Sequence, residues 1–367
     1  MPYSSDKEKR LNKTKYTGIL GIFLALTVLA GCKDTFANLQ SKPSALGVMN
    51  EIVVICDDAM WEGSVGDSLM YYYASPYPIM PSPEPLFDVR HFSTGQLLAE
   101  PLRKELRTYL ILADLLDKDS PTTIMLREDL GEEIIRKFNE NPNQFSTAGK
   151  DKWARGQVLV YIMGNGPEDL ARNLIHAFPR VSKRVRAHDN KQLQAQTYMN
   201  GSSTELTNLV AKEFGIKMKV PGDFKLAVNG KNFLWLRKDN REITASIVIK
   251  SFPYKDKSQM ELEGLIEMRD RIGLLIEGSS IGSVMRTNVV SLPVYTYPKE
   301  VAGRYAIESR GIWEMTEDFL GGPFINFAVI DGDRILVIDA FVYAPGKDKR
   351  DYIQQLELIL SSLEFQG

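Results

Sequence analysis

The stretch that determines the fold reads Pro323-Phe-Ile-Asn-Phe-Ala-Val-Ile-Asp-Gly-Asp-Arg-Ile-Leu-Val-Ile-Asp-Ala-Phe-Val-Tyr343. Two runs of apolar and β-branched residues flank Asp331-Gly332-Asp333, and an Asp-Gly pair between such runs is a strong signal for a β-hairpin. Pro345-Gly346 then breaks the chain, and apolar residues follow at helical spacing from Tyr352 to Leu363. The stretch therefore predicts an antiparallel hairpin whose second strand leads into a C-terminal helix.

The sequence before this hairpin predicts further strands of the same sheet. Asn229-Gly230 lies between the apolar runs Phe224–Val228 and Phe233–Arg237 and predicts a second hairpin. The other predicted elements are the strands Thr244–Phe252, Val289–Tyr297 and Arg304–Trp313 and an amphipathic helix with apolar residues at Leu262, Leu265, Ile266, Ile272 and Ile276. Residues 201–367 are thus predicted to form one unit.

The first half alternates strands and helices in a similar way. Strand-like runs occur at Glu51–Cys56, Thr108–Leu115 and Gln157–Met163. In character, Thr108–Leu115 matches Thr244–Phe252, and the strand and helix after residue 157 match the end of the chain. These likenesses predict an α/β fold (α+β type) of two related units, 50–200 and 201–367. Each is expected to be a mainly antiparallel sheet covered by amphipathic helices.

The N-terminus has the pattern of an export signal. Basic residues precede an apolar run, Ile19–Ala30, that is shorter than the roughly 20 residues a membrane span needs. The run closes on Leu29-Ala30-Gly31-Cys32, which resembles the lipobox of bacterial lipoproteins. In those proteins the signal is cleaved before the Cys, and the thiol carries a diacylglycerol. The resemblance implies a signal peptide over residues 1–31, lipidation of Cys32 with palmitate as acyl chain, and a flexible tether over residues 32–49.

The residue after the lipidation site indicates whether the protein is anchored in the inner or the outer membrane. Two or three acyl chains hold a protein at a bilayer essentially permanently. An Asp directly after Cys32 would resemble a retention signal for the inner membrane, whereas the chain has Lys33 there. The expected location is therefore the outer membrane, on its periplasmic or surface face.

Bulk composition excludes several classes of function. The chain has 45 basic and 47 acidic residues, and this balance gives no field that would attract nucleic acid. Only two Cys are present, so Cys56 has no disulfide partner once Cys32 carries lipid, and its strand-like surroundings predict a buried, inert thiol. The basic run Arg180–Lys191 is predicted to be a solvated helix face.

No motif for a cofactor, a metal or a nucleophile is complete. Gly278-Ser279-Ser280-Ile281-Gly282 matches the nucleophile-elbow pattern but follows a helix instead of a strand, and no His lies after it. Gly164-Asn165-Gly166 lacks the third Gly of a dinucleotide loop. Asp57 and Asp58 with Glu62 offer oxygen ligands, but adjacent acids at a strand end are more often a solvated cap. No cofactor and no metal are expected.

The favoured candidate for a ligand or partner site comprises Glu308, Arg310, Trp313 and Phe324. The pair Gly321-Gly322 is entropically costly in regular structure and indicates a loop shaped for close approach. Trp313 offers a large apolar ring with one N–H donor. The alternative, which the sequence favours, is that Trp313 is a core residue and the glycine pair only turns the chain. Glu308 and Arg310 alternate on one strand face, so they are expected to pair or to orient a polar ligand.

Four short motifs carry a resemblance to a known family. They are Gly311-Ile312-Trp313, Gly321-Gly322-Pro323-Phe324, Ala344-Pro345-Gly346 and Asp57-Asp58…Trp61. They resemble domain of unknown function 4837, a family of Bacteroidota lipoproteins without an established activity, over nearly the whole mature chain. More loosely, the second half is similar to the Mog1/PsbP-like fold, a hairpin-rich antiparallel sheet covered by helices. The resemblance implies a compartment, the cell envelope, and no mechanism.

The sequence leaves two functions open. The first is a non-catalytic binding or scaffold lipoprotein anchored in the outer membrane, with an envelope glycan or a protein as partner. The alternative is a hydrolase of envelope polymers that uses carboxylates such as Asp57, Asp58 or Asp339. Such chemistry needs two carboxyl groups about 5–10 Å apart in one cleft.

Overall fold

The fold is described from a computed structural model, which covers residues 42–366. The predicted signal peptide, the lipidation site Cys32 and the first part of the tether lie outside these residues. Among the helices of residues 42–366, none is long and apolar enough to cross a membrane.

The first unit is a five-stranded sheet with helices. Its strands are β1 (Glu51–Ile55), β2 (Asp88–Phe92), β3 (Thr108–Asp114), β4 (Ser146–Lys150) and β5 (Val158–Gly164). Its helices are α1 (Asp58–Trp61), α2 (Ser64–Tyr73), α3 (Thr94–Ala99), α4 (Pro121–Leu130), α5 (Glu132–Glu140) and the 31-residue α6 (Pro167–Thr197), with short 3₁₀ turns at Pro101–Glu105 and Pro142–Gln144.

The prediction of a mainly antiparallel first sheet is wrong. The strand order is β2-β1-β3-β5-β4, in which β1 pairs parallel with β2 and β3, β3 pairs parallel with β5, and only β4 is antiparallel. Helices connect the parallel strands, as parallel pairing requires. Strands β3 and β5 are buried almost throughout, and such continuous apolar runs are typical of parallel strands covered on both faces.

The second unit contains the predicted antiparallel sheet. Its strands are β6 (Ile216–Lys217), β7 (Lys225–Gly230), β8 (Phe233–Asp239), β9 (Thr244–Pro253), β10 (Met285–Asn288), β11 (Tyr295–Val301), β12 (Arg304–Met315), β13 (Gly321–Asp331), β14 (Arg334–Tyr343) and β15 (Glu364–Phe365). Its helices are α7 (Thr204–Phe214), α8 (Leu262–Gly273) and α9 (Arg350–Leu360), with a 3₁₀ turn at Lys257–Met260.

Eight strands of this unit form one sheet in the order β10-β12-β13-β14-β9-β8-β7, and β11 pairs with the other end of β12. The hairpin at Asp331 is confirmed, with Asp331 paired to Arg334 across the turn. The turn predicted at Asn229-Gly230 lies two residues later, because Gly230 pairs with Phe233. The α/β class is therefore confirmed, but the two sheets differ in topology, so the likeness between the halves does not reflect related units.

A shared core joins the two units. Leu110 of β3, Leu174 of α6, Phe327 of β13 and Leu356 of α9 belong to one buried cluster. A second cluster fills the opposite face of the antiparallel sheet, where α8 covers it. Helix α9 packs on α6 as well as on β13 and β14, so it is the element that both units contact.

The described part of the predicted tether is docked on the first unit. The backbone N–H of Ala45 donates to the carbonyl of Arg155 at 2.8 Å, and that of Leu46 donates to the carbonyl of Glu105 at 2.7 Å. The expectation of a flexible segment is therefore wrong for residues 42–46. Ala45 and Leu46 are held through backbone hydrogen bonds, and such contacts leave no apolar periodicity in the sequence.

The boundary near residue 200 stays a prediction, and it has a direct test. We expect a fragment of residues 201–367 to keep the antiparallel sheet, because α8 and α9 cover its two faces from within that fragment. Its free energy of unfolding should be lower than that of the full chain by at least about 3 kcal/mol, because α9 loses charged hydrogen bonds and its packing on α6. Circular dichroism during thermal unfolding measures both the retained sheet and the free energy of unfolding. A fragment without cooperative unfolding would show that the halves are one domain.

Candidate functional site

Glu308 and Arg310 form the pair that their alternation on β12 predicted. Arg310 Nε donates to Glu308 Oε1 at 2.6 Å, and Lys299 Nζ donates to Glu308 Oε2 at 2.8 Å. The Arg310 guanidinium also contacts Glu357 of α9. The pair therefore belongs to a charged cluster that connects the sheet with the last helix.

Both members of the pair are held in their charged forms. Burial alone would raise the pKa of Glu308, but Arg310 and Lys299 outweigh it and hold that pKa below its usual range. Burial would lower the pKa of Arg310, but Glu357 and Glu308 raise it. The cluster is thus a fixed arrangement of charges and not a proton-transfer pair at neutral pH.

Trp313 and Phe324 lie on the opposite face of the sheet from Glu308 and Arg310. Trp313 is 5% exposed, donates its indole N–H to the carbonyl of Val342 at 3.3 Å, and packs on aromatic neighbours in the core under α8. The Phe324 ring lies in the same core, beneath a guanidinium. Side chains alternate along a strand, so residues 308 and 310 cannot share a face with residue 313. The four predicted residues are therefore not one site.

The glycine pair has a packing role. A Cβ on Gly322 would lie 2.0 Å from the carbonyl oxygen of Val342, and a Cβ on Gly321 would lie 2.7 Å from the carbonyl oxygen of Trp313. The close approach that the sequence indicated is real. It brings neighbouring strands together, and the two glycines also line a cavity of about 570 Å³ with Trp313.

The charged cluster lies beside a cleft between the two units. The Tyr77 hydroxyl donates to Glu357 Oε1 at 2.9 Å, and both residues line a cleft of about 230 Å³ between α6 and α9. Exposed Arg186 and Asn190 of α6 line its wall, and Gln354 of α9 lines it together with Glu357. Ligand sites occur preferentially at such junctions.

The floor of the cleft is built from buried polar groups. Asn50 is 3% exposed, and its backbone N–H donates to Asp189 Oδ2 at 2.9 Å. The Asn50 side-chain amide donates to Asp351 Oδ1 at 3.0 Å and to Gln354 Oε1 at 2.9 Å. Asp189 in turn accepts from Arg107 at 3.2 Å. Residues from both units thus fix the floor as a preorganised polar surface, within a cleft that Leu193 and Leu358 also line.

The cleft was missed in the sequence because its residues come from distant segments. Asn50 precedes Asp351 by 301 positions and Asp189 by 139. Each of these residues stands alone in an ordinary strand, loop or helix context, without a motif around it. Only Glu308 and Arg310, which adjoin the cleft through Glu357, gave a signal.

The incomplete motifs are structural, as the sequence analysis favoured. The Gly278–Gly282 segment is a loop between α8 and β10, held by Asp318, which accepts from the Ser279 N–H at 3.0 Å and from the Ser280 hydroxyl at 2.7 Å. Gly164 ends a strand that packs closely on the next helix, since a Cβ there would lie 2.4 Å from the Leu170 nitrogen. Burial raises the pKa of the Cys56 thiol to about 12, so this thiol is inert.

The carboxylates that the hydrolase alternative needs do not share a cleft. Asp57 accepts from Thr122 Oγ1 at 2.7 Å in the first unit, and Asp58 is exposed on α1. Asp339 is fully buried in the second unit. Across residues 42–366, no group of three or more His, Cys, Asp or Glu side chains is placed to hold a metal ion. No observation therefore favours hydrolysis by these acids.

Solved structures resemble parts of the chain at low identity. A protein from Bacteroides thetaiotaomicron is 11% identical over 42% of this chain, with a TM-score of 0.24, and the chain spans 46% of that protein. LpqN of Mycobacterium tuberculosis, described as involved in cell envelope biogenesis, is 9% identical over 41% of this chain and 83% of its own length, with a TM-score of 0.27. The Saccharomyces cerevisiae Ran-binding protein Mog1p is 11% identical over 42% of this chain and 91% of its own length, with a TM-score of 0.28.

Sequence families divide the chain where the two units meet. A comparison with curated proteins gives no match. Residues 45–198 match the family model described as domain of unknown function DUF8532, and residues 203–362 match domain of unknown function DUF4837. The expected DUF4837 likeness thus covers the second half and not the motif at Asp57-Asp58. The second half of the chain is therefore similar to the DUF4837 family, and the first half is similar to the DUF8532 family.

Proposed function

We propose that the protein is a binding protein of the cell envelope, anchored in the outer membrane by lipid on Cys32 and without catalytic activity. The anchor is supported by Leu29-Ala30-Gly31-Cys32 and by the basic and apolar stretches before it. The binding function rests on one observation, the cleft between α6 and α9 with its preorganised polar floor.

The chemistry of the cleft favours a polar ligand. Its walls present the guanidinium of Arg186, the amide of Asn190 and the carboxylate of Glu357, side-chain groups that hydrogen-bond well with hydroxyl groups. Its volume of about 230 Å³ is smaller than the roughly 300–1,000 Å³ of sites for whole drug-sized ligands. The ligand that fits is therefore one terminal unit of a longer polar molecule, and we propose an envelope glycan.

Substitution of the exposed wall tests this proposal. Arg186→Ala and Asn190→Ala should each leave the fold intact, because both side chains are exposed on α6. Arg186→Ala should weaken binding of soluble envelope-glycan fragments about tenfold or more, the effect of losing one charged hydrogen bond. Isothermal titration calorimetry of the wild type and the variants measures the affinity for these fragments.

Lys183→Ala is the matched control, since Lys183 is an exposed cation of the same helix outside the cleft. It should bind as wild type does. Equal weakening by Lys183→Ala and Arg186→Ala would contradict a site in the cleft. Binding of an envelope protein in place of glycan fragments, with the same loss in Arg186→Ala, would reassign the ligand but keep the site.

A further inference from the structure

The chain enters the described structure at a fixed point on the first unit. Lys42 Nζ donates to the carbonyl of Asp151 at 2.5 Å, and Arg155 Nε donates to the carbonyl of Lys42 at 3.1 Å. The turn between β4 and β5 therefore clamps the segment that leads back to Cys32. This clamp sets which surface of the protein lies nearest to the proposed lipid.

Exposed cations surround this point. Asp189 of α6 pairs with Arg107 at 3.2 Å, and the adjacent His188 lies near the charges of Asp151 and Lys150, so α6 passes beside the clamp here. Positions four before and three after His188 lie on the same side of the helix. We call the resulting group the basic face; its exposed members are Lys42, Lys150, Arg155, Arg184 and Lys191.

The basic face keeps an excess of positive charge. Arg107 and Lys152, which lie next to it, are paired with Asp189 and Asp129, whereas none of its own five cations forms a salt bridge with a residue in the described range 42–366. Carboxylates near it include those of Asp151, Glu105 and Glu51. The overall charge of the chain is near neutral, so this face is a local feature and not a consequence of composition.

The length of the tether brings this face to the membrane. Nine residues, 33–41, separate Cys32 from Lys42, and nine extended residues span at most about 30 Å. A lipid on Cys32 would therefore keep Lys42 of the basic face within about 30 Å of the headgroups, and a bent tether lets the face reach them. Cations near an anionic bilayer surface are attracted to it within about a Debye length.

We propose that the basic face docks on anionic lipid headgroups of the membrane that holds the Cys32 lipid. The inference rests on the proposed anchor and adds a second contact to it. Together the two contacts fix one side of the first unit against the bilayer, as one lipid chain plus a basic patch does in other anchored proteins. The occupant of this face is the lipid surface, recognised through its phosphates.

Vesicle binding by the unlipidated chain tests the face without the anchor. The protein is residues 32–367 with Cys32→Ser, mixed with vesicles of phosphatidylcholine alone or with phosphatidylglycerol. We expect binding only to the anionic vesicles, and loss of binding between about 0.1 M and 1 M salt, where the Debye length falls from about 10 Å to about 3 Å. Inorganic phosphate at matched ionic strength should not compete; competition would show a site for one phosphate and overturn the inference.

Matched charge variants locate the contact. The triple variant Lys150→Gln, Arg184→Gln, Lys191→Gln should bind anionic vesicles about 100-fold more weakly, at about fivefold for each cation removed. The control variant Lys225→Gln, Lys231→Gln, Lys257→Gln changes the net charge equally at exposed positions of the second unit and should bind as wild type does. Equal losses in both triple variants would mean that only net charge acts, and would overturn the basic face.

The docking inference and the anchor fail separately. Lipidation of Cys32 is measured on the native protein by mass, whereas docking is measured on the Cys32→Ser chain. A lipidated native protein whose Cys32→Ser chain ignores anionic vesicles would overturn the basic face alone. An unmodified native Cys32 would overturn the anchor whatever the vesicles show.

Discussion

The Glu84→Ala variant is expected to unfold with a free energy about 3 kcal/mol below that of the wild type. Glu84 belongs to the first unit, is 4% exposed, and accepts the backbone N–H groups of Lys349 at 2.8 Å and Arg350 at 2.7 Å. Neither N–H has an acceptor within α9, and the N-cap residue Lys349 provides no side-chain cap. Alanine would leave them buried without an acceptor and would also remove a carboxylate from the positive end of the helix.

Urea unfolding followed by circular dichroism measures this loss. Glu84→Gln keeps one acceptor oxygen and should lose less than Glu84→Ala. The control Glu205→Ala removes an exposed Glu from the first turn of α7 and should change the free energy of unfolding by no more than about 0.5 kcal/mol. If Glu84→Ala unfolded at the same urea concentration as the control, the contact between Glu84 and α9 would not hold the units together.

The second large effect is expected at the buried ion pair between α8 and the antiparallel sheet. Arg269 Nε donates to Asp339 Oδ1 at 3.0 Å, and the two side chains are 2% and 0% exposed. Asn326 also donates to Asp339 at 3.2 Å, and the Arg269 guanidinium lies 3.7 Å from the centre of the Phe324 ring. Arg269→Ala leaves the Asp339 carboxylate buried without its partner, so we expect a loss of about 3–5 kcal/mol in the free energy of unfolding.

The pH dependence of this loss has a definite sign. Burial already raises the pKa of Asp339 in the native protein, although Arg269 and Asn326 oppose it. Without Arg269 that pKa rises further. The unfolded pKa of an Asp carboxyl group is about 4. When the folded pKa is higher, the free energy of unfolding falls as the pH rises from the unfolded pKa to the folded pKa, because the charged form is costly in the folded state. The deficit of Arg269→Ala should therefore be largest at neutral pH and shrink as the pH falls towards 4.

A double variant separates the ion pair from its packing. Arg269→Met with Asp339→Leu removes both charges and should recover most of the loss of Arg269→Ala, because apolar replacements of a buried pair are often neutral. Denaturant unfolding at neutral pH and near pH 5 measures the free energy of unfolding of the wild type, of Arg269→Ala and of the double variant. A double variant as unstable as Arg269→Ala would contradict an electrostatic origin of the loss.

Local signals in the sequence predicted the second unit better than the first. Asp331-Gly332-Asp333 specifies its hairpin through the turn itself, and Gly332 has the positive φ of 63° that the turn requires. Parallel pairing in the first sheet leaves no comparable local signal, since its partners are joined through helices. Strand β4, Ser146–Lys150, has no apolar run at all and is held by its pairing with β5.

The candidate site shows the same division. The pairing of Glu308 with Arg310 follows from alternation on one strand and was predictable. The same alternation places Trp313 on the other face, so counting along β12 separates it from the pair. The floor of the cleft at Asn50 depends on contacts with residues 139 and 301 positions away, and no periodicity or motif encodes such contacts.

Intact-mass analysis of the native protein, purified from membranes, tests the central claim of a lipid-anchored envelope protein. We expect a mature chain that begins at Cys32 and carries the mass of a diacylglycerol with its acyl chains. Cys32→Ser should appear in the soluble fraction, whereas Cys56→Ala, which changes the buried thiol alone, should stay with the membrane. An unmodified mature N-terminus, or membrane retention of Cys32→Ser equal to that of wild type, would contradict the anchor.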